Sequence, residues 1–158
     1  MALKMKIRTT LYGILSLAMA APPALQAQNP PAAPAAAAAP APAELWPAWR
    51  PWVAGRPLVA HNVGTERKFL RRAAPLHEFG PWIDTLKLAR RVRPDLAGHA
   101  LADVCRALGL APRLRELCPG RDWHDALFDA FASALVLEHC LALPGWEDVG
   151  LDALAGLR

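Results

Sequence analysis

A histidine and an aspartate at the start of a long apolar segment are the residues of this chain best suited to chemistry. His124 stands five positions before Asp129, and the apolar segment behind them runs to Leu143. Histidine titrates near neutral pH and can accept a proton, whereas a carboxylate oxygen is a hard ligand suited to magnesium. The pair therefore suits metal-dependent hydrolysis. In the alternative interpretation, His124 and Asp125 cap a buried helix and Asp129 reaches water.

A further candidate carboxylate, Glu66, follows a short apolar segment. Residues Leu58 to Ala60 predict a strand, the polar residues behind them a turn, and Thr65 the cap of the next helix. Glu66 is then expected just beyond the carboxyl end of a strand. Open α/β sheets bind their ligands at that end.

Taken together, these two segments resemble the second half of the DnaQ-like (DEDDh) 3′–5′ exonuclease family, which has a ribonuclease H-like fold. The similarity extends over roughly residues 46–146. It rests on two of the family's three motifs in the family's order, the strand, turn and helix of 58–70 and the closing His-x4-Asp of 124–129. The resemblance implies a metal-dependent enzyme that hydrolyses phosphodiester bonds from the 3′ end of a single-stranded nucleic acid.

The resemblance also implies roles for individual residues. His124 corresponds to the general base, Asp129 to the last metal-binding carboxylate, and Glu66 to a position where the family usually has aspartate. The implied cofactor is Mg²⁺ or Mn²⁺. Candidate contacts to nucleic acid are His61, Asn62, Arg67, Lys68 and Arg71. The basic residues among them are equally consistent with a solvated helix face.

The family's first motif, an Asp-x-Glu on the first strand of the sheet, has no counterpart in this sequence. No acidic residue precedes Glu44. Because two-metal hydrolysis needs bridging carboxylates, the resemblance predicts a truncated domain with weak or no activity of its own. The chain would then be a gene fragment or the product of a miscalled start. The alternative is a non-catalytic helical binding or interaction protein, exported if its amino terminus is a signal. Whether the chain is an enzyme therefore stays open.

Four segments differ in composition. Residues 1–27 have the plan of a secretory signal peptide, with three positive charges before an apolar segment too short to span a membrane, and 28–43 form an Ala/Pro-rich spacer. Residues 44–150 are the predicted exonuclease-like domain, and 151–158 a C-terminal tail. The signal favours export. The family resemblance and the odd set of thiols favour the cytoplasm, and these thiols are Cys105, Cys118 and Cys140.

The elements that must position these residues belong to an α/β fold dominated by helix, with about two short strands. Residues 81–90 predict the second strand running into a helix capped by Asp84, and Trp46, Trp49 and Val53 recur at helical spacing. A helix from Leu101 should end at Gly109 and pack on the long apolar helix. If half of the sheet is missing, a strand edge and the face of the helix near Phe128 should be exposed and promote self-association.

Overall fold

The computed structural model describes residues 42–146 and 148–157, so the predicted signal segment and most of the spacer lie outside the described residues. The described chain is a mixed α/β structure in which two short strands are surrounded by helices, which confirms the predicted class and the predominance of helix. The elements are α1 (Pro42–Val53), β1 (Leu58–Ala60), α2 (Gly64–Ala73), β2 (Trp82–Asp84), α3 (Thr85–Val92), α4 (Leu101–Ala107), α5 (Ala111–Leu117), α6 (Ala126–Leu141) and α7 (Leu151–Ala155).

The two strands pair in parallel, with Leu58 opposite Trp82 and Ala60 opposite Asp84. In a parallel pair both carboxyl ends lie at the same edge of the sheet. The residues that follow β1 therefore meet the start of α3. This junction holds the first of the two motif segments.

Helix α6 is the centre of the core. It packs against β1, α3, α4 and α5, and residues 131–137 are all buried. A helix segment enclosed on every side needs apolar residues all round, which explains why 131–137 are apolar except for Ser133. The prediction of an exposed face near Phe128 is wrong, since that side chain is only 3% exposed. Among the described residues, each strand pairs along its length with one neighbour only.

Helix α4 ends as its sequence predicts. Gly109 has a φ of 68°, which glycine adopts without steric cost. The N–H of Leu110 donates to the carbonyl of Cys105 at 2.8 Å and the N–H of Gly109 donates to that of Arg106 at 3.2 Å. These are the two hydrogen bonds of a Schellman motif. The buried face of α4 packs on α6, as expected.

The two ends of the described chain both pack onto the fold. Helix α1 contacts α2, where the rings of Trp49 and Phe69 stack with centroids 6.5 Å apart. The segment predicted as a tail contains α7, whose Leu154 is 1% exposed in the core. The Lys87 ammonium donates to the carbonyl of Leu157 at 3.0 Å and fixes the end of α7. None of the helices in the described ranges is both long and apolar enough to cross a membrane.

Candidate functional site

His61 is the first residue after β1, and its imidazole is held at both nitrogens. Nε2 lies 2.8 Å from the carbonyl oxygen of His99, so it carries the hydrogen in the neutral ring and Nδ1 accepts from the Thr85 hydroxyl at 3.0 Å. That hydroxyl also lies 3.3 Å from the carbonyl oxygen of Ala60, but it has a single hydrogen to give. Burial lowers the pKa of His61 below its ordinary value of 6.5, which keeps the ring neutral. The His61 ring thus links the end of β1 to α3 and to the segment before α4 by hydrogen bonds.

Asp84, the last residue of β2, also links the turn after β1 to α3 by hydrogen bonds. Its Oδ1 accepts from the N–H of Leu86 at 3.0 Å and from the N–H of Asn62 at 2.9 Å. The predicted N-cap is therefore confirmed, and the same oxygen also holds the turn after β1. Asn62 has a φ of 67°, a conformation that asparagine tolerates better than most residues. Oδ1 of Asp84 is therefore engaged by two backbone donors.

Glu66 is in a different situation. It lies in the first turn of α2, half-buried, and its Oε2 is buried without a hydrogen-bond partner in the structure. The predicted cap of this helix, Thr65, is wrong, because α2 begins at Gly64 and its N-cap is Val63, which has no side-chain cap. A buried carboxylate oxygen without a partner is costly, and it is usually explained by a water or an ion. Glu66 therefore has an oxygen suited to a hard cation.

The mouth of α6 is closed by Asp125. Its Oδ1 accepts from the N–H groups of Leu127 and Phe128 at 2.9 and 3.1 Å, and its Oδ2 pairs with the Arg121 guanidinium. Burial opposes ionisation, but these hydrogen bonds and the Arg121 charge outweigh it and lower the pKa of Asp125. The capping interpretation is confirmed for Asp125. No capping bond from His124 is present in the described residues.

His124 and Asp129 lie on either side of Asp125 in the sequence, and their side chains have no partner among the described residues. His124 is exposed and Asp129 is half-buried one turn into α6. Neither side chain forms a hydrogen bond or ion pair with a described residue. The Ser133 hydroxyl donates to the backbone carbonyl of Asp129 and not to its carboxylate.

Burial and, second to it, the charge of Asp129 raise the pKa of the Cys105 thiol to about 12. A thiol with that pKa is a poor nucleophile or metal ligand.

Left-handed backbone conformations mark both motif segments. Within residues 42–146 and 148–157, the non-glycine residues with positive φ are Asn62 at 67° and His124 at 73°. Histidine and asparagine are enriched in this region, but the conformation still costs free energy. Such residues cluster at functional sites. Sequence reasoning selected both positions, although no pattern in the sequence predicted their conformation.

The described residues do not supply a complete metal site. Glu66 and Asp129 offer oxygen ligands of the right chemistry, and the partnerless Oε2 of Glu66 fits a cation. No group of three or more His, Cys, Asp or Glu side chains placed to hold a metal occurs in the part of the chain that the structure describes. In both Asp84 and Asp125, Oδ1 is already engaged by two backbone N–H groups, and the Oδ2 of Asp125 pairs with Arg121.

The basic residues of α2 are exposed, as a contact with nucleic acid requires. Arg67, Lys68 and Arg71 all lie on its surface. Arg67 and Arg71 also line a cleft that the segment 75–82 closes from the other side. Sequence reasoning missed this cleft. Its aromatic residues are scattered through that segment without a periodic pattern.

Sequence comparisons find relatives among enzymes of DNA metabolism. Exodeoxyribonuclease 10 of Escherichia coli K12 is 31% identical over 99 residues, which cover 62% of this chain and 40% of that protein. A PolC-type DNA polymerase III of Oceanobacillus iheyensis is 32% identical over 90 residues, covering 54% of this chain and 6% of the polymerase. The PolC-type polymerase of Bacillus cereus is 30% identical over 98 residues, again covering 6% of its length. No family model and no solved structure matches.

These relatives confirm the resemblance to the DnaQ-like exonucleases. The matches cover 54% and 62% of this chain, as expected if the similarity extends over only part of the relatives' exonuclease domain. The chain spans well under half of the length of these relatives, at 40% and 6%.

Proposed function

We propose that this chain is a 3′–5′ exonuclease-family protein whose described elements form part of a ribonuclease H-like domain. The observation that carries the proposal is the buried Oε2 of Glu66, which has no hydrogen-bond partner and lies at a position that the family resemblance assigns to a metal-binding carboxylate. Asp84 and Asp125 are held by backbone donors. Glu66, His124 and Asp129, the residues that the family resemblance selects, have side chains free of hydrogen bonds and ion pairs to described residues.

The proposed roles follow from this chemistry. Glu66 and Asp129 would hold Mg²⁺ or Mn²⁺, and the ion would supply positive charge to the phosphodiester. His124 accepts the proton of the attacking water, a task suited to an exposed imidazole whose nitrogens make no hydrogen bond to a described residue. His61 is a positioning residue, because both of its ring nitrogens are already engaged within the protein.

Contacts to the strand come from the basic surface of α2. Arg67, Lys68 and Arg71 bind phosphates of a single-stranded 3′ end, and Asn62 lies exposed at the turn before them. Such contacts supply affinity without reading the sequence and weaken as salt rises.

The chain by itself is proposed to be weakly active or inactive. The described residues lack a cluster of three metal ligands, and a magnesium site built from two carboxylates retains most of its water. Groups that act together in catalysis lose most of the rate when one is missing. Further carboxylates from another chain or segment would be needed for full activity.

Manganese binding tests the proposed ligands directly. Electron paramagnetic resonance of free Mn²⁺ should show weak binding to the wild-type chain and a loss of that binding in Glu66→Gln and in Asp129→Asn. The matched control is Asp103→Asn, which removes an exposed carboxylate that pairs with Arg106 on α4. Equal Mn²⁺ binding in the wild type and in both site variants would contradict the assignment.

A further inference from the structure

A cleft of about 420 Å³ lies between α2 and the segment that leads into β2. Its volume is within the range of about 300–1,000 Å³ that is usual for small-molecule sites. One wall carries two guanidinium groups and the other is largely aromatic. The residues that the argument uses are Arg67, Arg71, His77, Glu78, Phe79 and Trp82.

The guanidinium wall is available to an anion. Arg67 and Arg71 are four residues apart on α2 and exposed, so they lie on the same side of the helix. In the described ranges neither forms an ion pair, and the single carboxylate that lines the cleft belongs to Glu78. The two guanidinium groups outnumber it, and guanidinium forks match the geometry of a phosphate.

The aromatic wall is held in place before any ligand arrives. The indole N–H of Trp82 donates to the carbonyl of Phe79 at 2.9 Å. From the other side, the ring of Trp46 on α1 lies 4.4 Å from that of His77 and 5.6 Å from that of Phe79. Rings that are fixed in advance lose little entropy when a planar group stacks on them.

Gly80 allows the indole to occupy this position. Its φ is 113°, and a Cβ atom there would lie 2.7 Å from Cδ1 of Trp82. Any side chain at this position would push the ring away or strain the backbone. The cleft wall therefore depends on a residue outside both motif segments.

We propose that this cleft binds one nucleotide, with its phosphate on Arg67 and Arg71 and its base against the aromatic wall. The carboxylate of Glu78 accepts a hydrogen bond from an N–H of the base or a hydroxyl of the sugar. The nucleotide is either free or part of a single strand, since both present the same chemistry. The inference rests on the proposed function in its choice of a nucleotide. None of Glu66, His124 and Asp129 lines the cleft, so binding requires no metal.

Quenching of tryptophan fluorescence tests the proposal on the whole chain in the presence of EDTA. Thymidine monophosphate should quench the emission and bind at least about tenfold more tightly than thymidine or inorganic phosphate, because each of these lacks half of the contacts. Arg71→Gln should weaken binding about tenfold, the size of one lost charge-assisted contact. Arg72→Gln is the matched control, exposed on the same helix but not lining the cleft, and should bind as the wild type does.

Several outcomes would overturn the proposal. Inorganic phosphate binding as tightly as the monophosphate would show a site for anions alone, and equal losses in Arg71→Gln and Arg72→Gln would show diffuse electrostatics. A short oligothymidylate that binds more tightly than the monophosphate, still dependent on Arg71, identifies the ligand as a nucleotide within a strand. Equal affinities identify a free nucleotide.

The same titration separates this inference from the proposed function. Asp129→Asn should leave nucleotide binding unchanged even where it abolishes Mn²⁺ binding. A loss of nucleotide binding in Asp129→Asn, with circular dichroism unchanged, would show that the cleft is not a separate site. Far-ultraviolet circular dichroism also confirms that Arg71→Gln is folded.

Discussion

At each of the two motif segments, one carboxylate accepts hydrogen bonds from backbone N–H groups and another does not, although Asp84, which does so at the first, lies at the end of β2 and outside residues 58–70. Beside the first, Oδ1 of Asp84 accepts from two backbone N–H groups, while Glu66 has a buried oxygen without a partner. At the second, Asp125 caps α6 and pairs with Arg121 while Asp129, one turn further on, makes no such bond among the described residues. Carboxylates at helix mouths stabilise the fold. Glu66 and Asp129, in the first turns of α2 and α6, make no such bonds to described residues.

The two segments differ in how their turns are secured. The turn after β1 is held from two sides, by Asp84 at the backbone of Asn62 and by the ring of His61. The turn before α6 relies on Asp125 and Arg121, and it leaves His124 exposed. A first turn held by hydrogen bonds and an exposed histidine in the second agree with the positioning and proton-transfer roles proposed above.

The largest effect should come from Asp84→Ala. This change removes the cap of α3 and leaves the N–H groups of Leu86 and Asn62 without their acceptor. We expect a loss of about 2–4 kcal/mol in the free energy of unfolding, measured by urea denaturation. Asp103→Ala, which loses only an exposed ion pair on α4, should cost less than about 1 kcal/mol. Equal losses in the two variants would contradict the role of Asp84.

A smaller loss of about 1–2 kcal/mol is expected for Asp125→Ala, because one cap is removed from α6. The pKa of Asp125 is lowered in the folded state below its ordinary value of 3.8. Its ionised form therefore stabilises the protein above that pH, and this contribution is lost as the pH falls through the folded pKa. Urea titrations at a series of pH values should show the difference between wild type and variant shrinking in acid. A difference that grows in acid would refute this account of the cap.

At His124, the backbone conformation is tested by comparing the stabilities of a glycine and an alanine variant. Its φ of 73° is unfavourable for any residue with a Cβ atom, so His124→Gly should be more stable than His124→Ala by about 1 kcal/mol. In an ordinary helical position the order is the reverse. Thermal unfolding of the two purified variants decides between them, and a more stable alanine variant would show that the backbone strain is absent.

The smallest effect is expected at the open carboxylates. Glu66→Gln removes the charge of a buried oxygen that has no partner, so the free energy of unfolding should change by less than about 1 kcal/mol or rise slightly. A loss as large as that of Asp84→Ala would mean that Glu66 is structural. The comparison between Asp84 and Glu66 is the sharpest one available around the first segment.

Much of this arrangement follows from local sequence rules. The Gly109 cap of α4, the Asp84 cap of α3 and the buried α6 were predictable from turn chemistry and periodicity. The start of α2 was not, because its N-cap, Val63, has no side chain that a capping rule recognises. The cleft beside α2 could not be predicted from the sequence either, because its aromatic wall depends on a contact between Trp46 and His77, which are far apart in the sequence.

Exonuclease activity of the chain on its own tests the central claim most directly. A 3′-labelled single strand is incubated with Mg²⁺ or Mn²⁺ and the wild-type chain, beside Asp129→Ala and His124→Ala to expose a contaminating nuclease. The account predicts little or no release of the terminal nucleotide, because the described residues supply no cluster of three metal ligands. Robust release by the wild type that disappears in both variants would contradict it, and would show that a further ligand completes the site.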